Sequence, residues 1–278
     1  MKGARTLLSA SHRSMKTNRI IKGDALMELQ KLPTGVVQSI IADPPYFNVL
    51  EDEAWDTQWK TAADYLAWCD AWVAESMRVL RDDGMAFIFG QLGKREHTFL
   101  HLMSRLSQQH QFHDLIIWDR AVGYDERRDS FTPQYEMVLV LRKGDSVKFN
   151  KDAVRIPYDA ATIEAYMKDN RYKDKEARRK HLEKGKYATN ILRVPSLKGN
   201  SKEKCGHPSQ KPINLIDKLI ACSTDVGDLV LDPFLGSGTT AASARRLGRQ
   251  WLGIEKDASY IQIAQKRIEA ESSLFSKS

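Results

Sequence analysis

The segment Asp43-Pro44-Pro45-Tyr46 combines one carboxylate, two residues without a backbone N–H and one aromatic ring. It follows the apolar run VVQSIIA (36–42), so it stands where a buried strand emerges. Asp43 offers an anionic acceptor, and Pro44 keeps a carbonyl while donating nothing. Two acceptors side by side suit an exocyclic amino group, which carries two N–H donors. Holding both hydrogens biases the nitrogen toward tetrahedral geometry with its lone pair aimed at an electrophile, while Tyr46 stacks on a planar base. Such chemistry is orientational and electrostatic, without a covalent intermediate. The same tetrapeptide is also good turn chemistry, so its surroundings must decide.

Asp24, Asp43, Asp232 and Glu255 each close an expected strand. In an open α/β sheet, ligands bind beyond the carboxyl ends of the strands, so four acids there define one site. Asp24 alone reads equally well as a helix cap. The stretch DPFLGSGTT (232–240) is a strand, a glycine turn and a helix start. Gly236 and Gly238 permit close backbone approach to a ligand. A phosphate loop needs a lysine before its Ser/Thr pair, and here Thr239 follows Gly238 directly; the dinucleotide fingerprint fails at Ala241. Glu255 lies one strand–turn–helix–strand unit later, where an acid bonds a ribose diol, so the spacing points to a nucleoside ligand.

These residues are carried by alternating elements. Strands are expected at 18–24, 36–42, 85–90, 112–119, 135–143, 228–234 and 250–255, and helices at 25–33, 61–80, 94–108, 211–223, 239–247 and 257–271. Continuous apolar runs alternating with amphipathic helices predict a mostly parallel sheet covered on both faces. Residues 144–206 break the pattern, being polar and without apolar periodicity, and read as an inserted recognition region. The expected division is a basic, disordered tail (1–17), a catalytic half (18–143), the insert (144–206) and a second half (207–272).

The net charge of +7 is unevenly placed. Residues 1–19 carry five basic residues and no acid, and residues 168–186 carry nine basic and four acidic, leaving the remainder at −3. Basic charge confined to one tail and one segment fits a polyanion partner; a solvated charged helix fits the composition equally well. Three scattered cysteines make no disulfide framework, which fits a reducing compartment. No apolar stretch reaches the length of a membrane span, so the expected location is the cytoplasm. His97 and His101 share a helix spacing but lack the glutamate of a zinc protease, and Cys205 with His207 makes no four-ligand set, so no metal is expected. No cysteine follows a proline, which removes a nucleophile for carbon-5 cytosine chemistry.

DPPY (43–46), GHPSQKP (206–212) and DPFLGSGTT (232–240), in that order, resemble the permuted β class of S-adenosylmethionine-dependent DNA amino-group methyltransferases. The resemblance covers roughly residues 18–270 except 144–205. It implies a seven-stranded methyltransferase sheet with the first strand beside the last and the strands ending in Asp43 and Asp232 as neighbours. It further implies that Asp232, Phe234 and Gly236, with Ser237, Gly238 and Thr239 of the same turn, line the methionine and ribose side of the cofactor. Glu255 takes the ribose hydroxyls, Asp24 the adenine amino group, and His207, Pro208 and Lys211 close over the methionine end. Asp43, Pro44, Pro45 and Tyr46 receive the target base, with Asp43 also touching the cofactor site.

Members with DPPY usually methylate adenine at N6, and those beginning with Ser usually cytosine at N4, so adenine is the expected base and cytosine the alternative. Phe47 stands where many relatives place Asn, which shifts Asn48 by one position. The base must be flipped out of the duplex, and Arg171, Lys173, Arg178, Arg179 and Lys180 are expected on its phosphates. The loop at 47–59 is expected to order over the flipped base. A non-catalytic DNA-binding subunit is a rival reading, against which the intact acids argue. RNA and protein-glutamine methyltransferases usually carry NPPY after the cofactor motif, the reverse order. The resemblance also implies double-stranded DNA as partner, a homodimer, a nucleoid setting of bacterial or phage type and, in restriction–modification systems, an endonuclease.

Overall fold

The computed structural model describes residues 15–47, 57–92, 97–123, 126 and 128–275; the tail before Met15, Asn48 and most of the 47–59 loop lie outside them. The strands are β1 (Arg19–Lys22), β2 (Val37–Ala42), β3 (Leu80–Gly90), β4 (Gln111–Asp119), β5 (Tyr135–Arg142), β6 (Ile191–Arg193), β7 (Leu229–Asp232) and β8 (Gln250–Glu255). They form one sheet in the order β1-β8-β7-β2-β3-β5-β4-β6. Neighbours are parallel except β5, which runs antiparallel to both β3 and β4. As expected, β1 pairs with β8 and β2 with β7. The eighth strand is β6, parallel to β4; at three residues it is too short for any sequence periodicity to mark it.

Apolar side chains alternate between the two faces with period two. Ile40, Ala42, Ala86, Ile88, Leu139 and Leu141 join one core, while Ile41, Phe87, Phe89, Val138 and Val140 join the other. The first core is covered by α1 (Ala25–Leu29), α2 (Ala62–Val79) and α3 (Thr98–Gln109). The second lies under α6 (Ile213–Ser223), α7 (Thr239–Arg246) and α8 (Ala258–Phe275). A strand buried on both faces has no polar side, which is why these strands read as unbroken apolar runs. Helix starts follow local chemistry: Thr61 caps α2 by accepting from the Asp64 N–H at 3.1 Å, and Pro212 opens α6 with extended backbone.

Residues 144–206 contain more regular structure than their composition announces. Helices α4 (Ala160–Met167) and α5 (Lys175–Glu183) are capped by Asp159 and Asp174, yet α4 buries no side chain and α5 only Leu182. With no apolar face, neither helix leaves a periodic signal. The stretch is tied down at both ends. Lys148 pairs with Asp228 at 2.7 Å and the Asn150 side chain donates to the Thr224 carbonyl at 2.9 Å, while β6 joins the sheet. Within it, an antiparallel bridge of Ile156 with Lys186 closes the base of the α4–α5 unit.

Candidate active site

Strands β2 and β7 sit where the chain order of the sheet reverses, the place at which an open α/β sheet forms a ligand crevice. A cavity of about 1150 Å³ opens there, lined by Asp24, Asp43 to Tyr46, Phe89, Trp118, Glu136, His207 to Lys211, Asp232 to Ser237, Thr239 and Glu255. The sequence-expected acids therefore reach one cavity. Gly238 does not line it, but its φ of +77° starts α7, and a Cβ there would come within 2.9 Å of Ala264.

Asp24 serves both readings: it lines the cavity and caps α1, accepting from the Met27 N–H at 3.2 Å. Glu255 holds the glycine turn, taking the Gly236 N–H on Oε2 at 2.9 Å and the Asp257 N–H on Oε1 at 2.8 Å. A carboxylate offers about four acceptor positions, so capacity remains for a diol. Gly236 has φ +48°, and a Cβ there would stand 2.9 Å from His207 Nε2. The turn is thus a cradle pressed against the His207 segment. Burial drops the His207 imidazole to about 4, so it is neutral at ordinary pH, and its ring centroid lies 4.4 Å from that of Tyr260 with the planes tilted by 51°. Burial pushes the Asp232 carboxyl up to about 7 despite the hydrogen bond it accepts from the Phe234 N–H at 2.9 Å.

At the DPPY corner, Asp43 Oδ1 accepts the Tyr46 hydroxyl at 2.6 Å and Oδ2 accepts Lys211 Nζ, also at 2.6 Å. The Pro45 carbonyl accepts from the Tyr65 hydroxyl at 3.0 Å, which anchors the corner to α2. Phe47 packs against the Tyr65 ring at 5.7 Å. Burial and the neighbouring Asp43 hold the Tyr46 phenol well above its usual range, so it is a neutral donor. Lys211 is the surprise. It is buried, and although burial pulls its ammonium down, Asp43 and Glu136 more than reverse that.

Glu136, which sequence reasoning did not single out, is buried at the head of β5, with Oε2 3.4 Å from Lys211 Nζ and Oε1 3.4 Å from an Arg120 nitrogen. Being antiparallel, β5 enters the site with its first residues, whereas the expected acids all close their strands. A lone acid heading the apolar run EMVLVL was the available signal. Glu203 and Arg267 were also missed. Glu203 accepts from the Ile213 N–H and from Arg267, both at 2.8 Å, and Arg267 donates to Thr239 Oγ1 at 2.8 Å. They pin the end of the 144–206 stretch to the glycine turn.

The expected phosphate ligands form a separate surface around a smaller cavity lined by Arg171, Lys173 and Arg178. Arg171 pairs with Asp169 at 2.7 Å, Arg179 with Glu164 at 3.0 Å and Lys180 with Glu176 at 2.8 Å. The Arg178 guanidinium lies 3.9 Å from the Tyr172 ring centroid. Exposed pairs of this kind are worth roughly 0–1 kcal/mol, so a phosphate can displace them. His97 and His101 are exposed, and among the described residues no cluster of three metal-ligating side chains occurs. No described helix is long and apolar enough to cross a membrane.

Comparison with known proteins shows which chains this one resembles. The DNA adenine methyltransferase YhdJ of Escherichia coli is 31% identical over 254 residues, spanning 91% of this chain and 83% of that protein. The type II methyltransferase M.HinfI of Haemophilus influenzae is 28% identical over 268 residues, covering 90% of this chain and 68% of its own. Among solved structures, the cytosine-N4-specific PvuII DNA methyltransferase superposes with a TM-score of 0.68 at 17% identity, covering 94% of this chain and 92% of that one. TTHA0409 of Thermus thermophilus, complexed with S-adenosylmethionine, gives 0.62 at 22% identity and covers 91% of this chain and 93% of that one. At such identities these two establish the shared fold. The model of the DNA methylase family with N6 and N4 specificities matches residues 37–266, and the chain belongs to that family.

Proposed function

We propose that the chain transfers the methyl group of S-adenosylmethionine to the N6 amino nitrogen of an adenine flipped out of duplex DNA. The observation that carries this is the meeting of the DPPY corner of β2 and the glycine turn of β7 in one cavity of about 1150 Å³ at the switch point. That space exceeds the usual range of a single small-ligand pocket and accommodates a nucleoside-sized cofactor beside a base. The lining fits the cofactor: the Gly236 cradle admits no Cβ, and Asp24, Asp232 and Glu255 supply acceptors for an amine and a diol. Phe234, Ser237, Thr239, His207 and Pro208 complete that side. When bound, S-adenosylmethionine supplies an electrophilic methyl group on a positively charged sulfur.

The chain's own work is to hold the amino group. Asp43 accepts one N–H and the Pro44 carbonyl the other, and Tyr46 stacks on the base, so the nitrogen lone pair faces the methyl group in line. Residues 18–143 and 207–272 act as the two halves of this site, while 144–206 carries the α4–α5 unit that reads the DNA and, through Ser196 and Leu197, a wall of the cavity. Arg171, Lys173, Arg178, Arg179 and Lys180 contact phosphates there. Neutralising Arg178, Arg179 and Lys180 together is expected to lower the slope of log affinity against log salt by about 2–3, since each phosphate contact contributes roughly 0.9. An unchanged slope in a salt titration of DNA binding assigns the stretch to ordinary solvated surface.

The deciding experiment incubates the purified chain with methyl-labelled S-adenosylmethionine and unmethylated genomic DNA, then digests the DNA to nucleosides. Label in N6-methyladenine is the expected result. Label in N4-methylcytosine keeps the mechanism, because that amino group has the same two donors, and corrects the base. Cofactor binding without label in DNA overturns the proposal.

A further inference from the structure

Both oxygens of Asp43 are engaged, one by the Tyr46 hydroxyl and one by the buried Lys211 ammonium, each at 2.6 Å. The acceptor that the proposed reaction requires is therefore partly capped by a cation from the His207–Lys211 segment. On the other side of that cation stands Glu136, 4% exposed, whose Oε2 lies 3.4 Å from Nζ yet makes no hydrogen bond. The ion pair compensates part of its burial, but a buried carboxylate oxygen held within reach of a donor without hydrogen-bond geometry is uncommon enough to need a reason. The opposite oxygen, Oε1, is 3.4 Å from Arg120, so the group is fixed in place while Oε2 faces the ammonium.

We propose that Glu136 is a second seat for Lys211. When the target amino group takes up Asp43, the ammonium shifts from Asp43 toward Glu136 Oε2 and completes the hydrogen bond absent in this arrangement. Without that seat, the ammonium either stays on Asp43, in competition with the base, or is left without a carboxylate partner in a buried site, which is strongly unfavourable. Glu136 is thus a positioning residue that acts through Lys211 and sets how freely Asp43 can accept an N–H. This rests on the reading of Asp43 as the amino-group acceptor.

The test is a double-mutant cycle of wild type, Glu136→Gln, Lys211→Met and the double variant. Single-turnover methylation of duplex DNA is measured alongside the S-adenosylmethionine Kd of the same preparations. Glu136→Gln is expected to slow the single-turnover rate by about 10–100-fold while the cofactor Kd moves less than about 3-fold. The double variant should be no slower than Lys211→Met alone, because the two residues act as a unit. A wild-type rate in Glu136→Gln, or losses that simply multiply, overturns the exchange. Should Glu136→Gln fail to fold, Glu136→Asp, which keeps the charge and shortens the reach, takes its place in the cycle. Methylation of cytosine by the wild type corrects the base and leaves the cycle readable; no transfer to DNA by the wild type overturns both.

Discussion

Asp43→Ala is expected to slow methyl transfer by at least about a thousandfold, roughly 4 kcal/mol of transition-state stabilisation, with the S-adenosylmethionine Kd changed less than about threefold. Magnitude follows from position. Asp43 is the one carboxylate at the DPPY corner, and a preorganised, largely buried acceptor is worth more than one in water. The fold should survive, because Lys211 keeps Glu136 3.4 Å away when Asp43 is gone and the corner keeps its Tyr65–Pro45 anchor. Asp43→Asn retains an acceptor oxygen and should lose less. Turnover and cofactor titration on the same preparation decide the matter. Loss of both properties moves Asp43 out of the acceptor role and into the support of the fold, and retained turnover removes it from the site.

Asp232→Asn is expected to do two opposite things: weaken S-adenosylmethionine binding by more than about tenfold and stabilise the cofactor-free protein at pH 8. The second effect comes from burial. With its carboxyl raised from 3.8 to about 7, the folded chain holds a proton there that the unfolded chain has released. Stability therefore falls as pH rises from about 4 to about 7, and the full penalty stands above pH 7. A rise of that size sets a ceiling of about 4 kcal/mol, and the amide, which can still accept the Phe234 N–H, should recover about 1–3 kcal/mol of it. Thermal unfolding of both proteins at pH 5 and pH 8 reads the effect: a gain at pH 8 that shrinks toward pH 5. A gain independent of pH would mean that Asp232 stays ionised. Unchanged cofactor affinity would remove it from the cofactor site.

Much of this arrangement was legible in the sequence for one physical reason. A parallel sheet buried on both faces converts each strand into an apolar run such as VVQSIIA, and the polar residue that ends the run marks where ligand can enter. Asp43 and Asp232 were visible in that way. Glu136 was not, because an antiparallel strand brings its beginning to the site, and only its place at the head of the apolar run EMVLVL sets that acid apart from a surface one. Nor was the pairing of Lys211 with Asp43 visible, since 168 residues separate them and only the closed sheet brings them together. The helices α4 and α5 escaped detection because they bury almost nothing, so no hydrophobic period exists to be read. Asp24 could be read two ways, and the structure has it both capping a helix and lining the cavity.

Strand β6 carries a practical consequence for redesign. Its residues hydrogen-bond to β4, the Trp118 indole donates to the Val194 carbonyl at 2.7 Å, and the chain beyond it continues along Arg120 to Ser196 and Leu197 in the cavity wall. Residues on both sides of the α4–α5 unit are thus structural parts of the catalytic body. On the proposed reading of α4 and α5 as the DNA-contacting element, a chimaera meant to swap target preference between relatives should be spliced at the Ile156–Lys186 bridge. Exchanging the whole of 144–206 would tear out an edge strand and a wall of the pocket along with the α4–α5 unit.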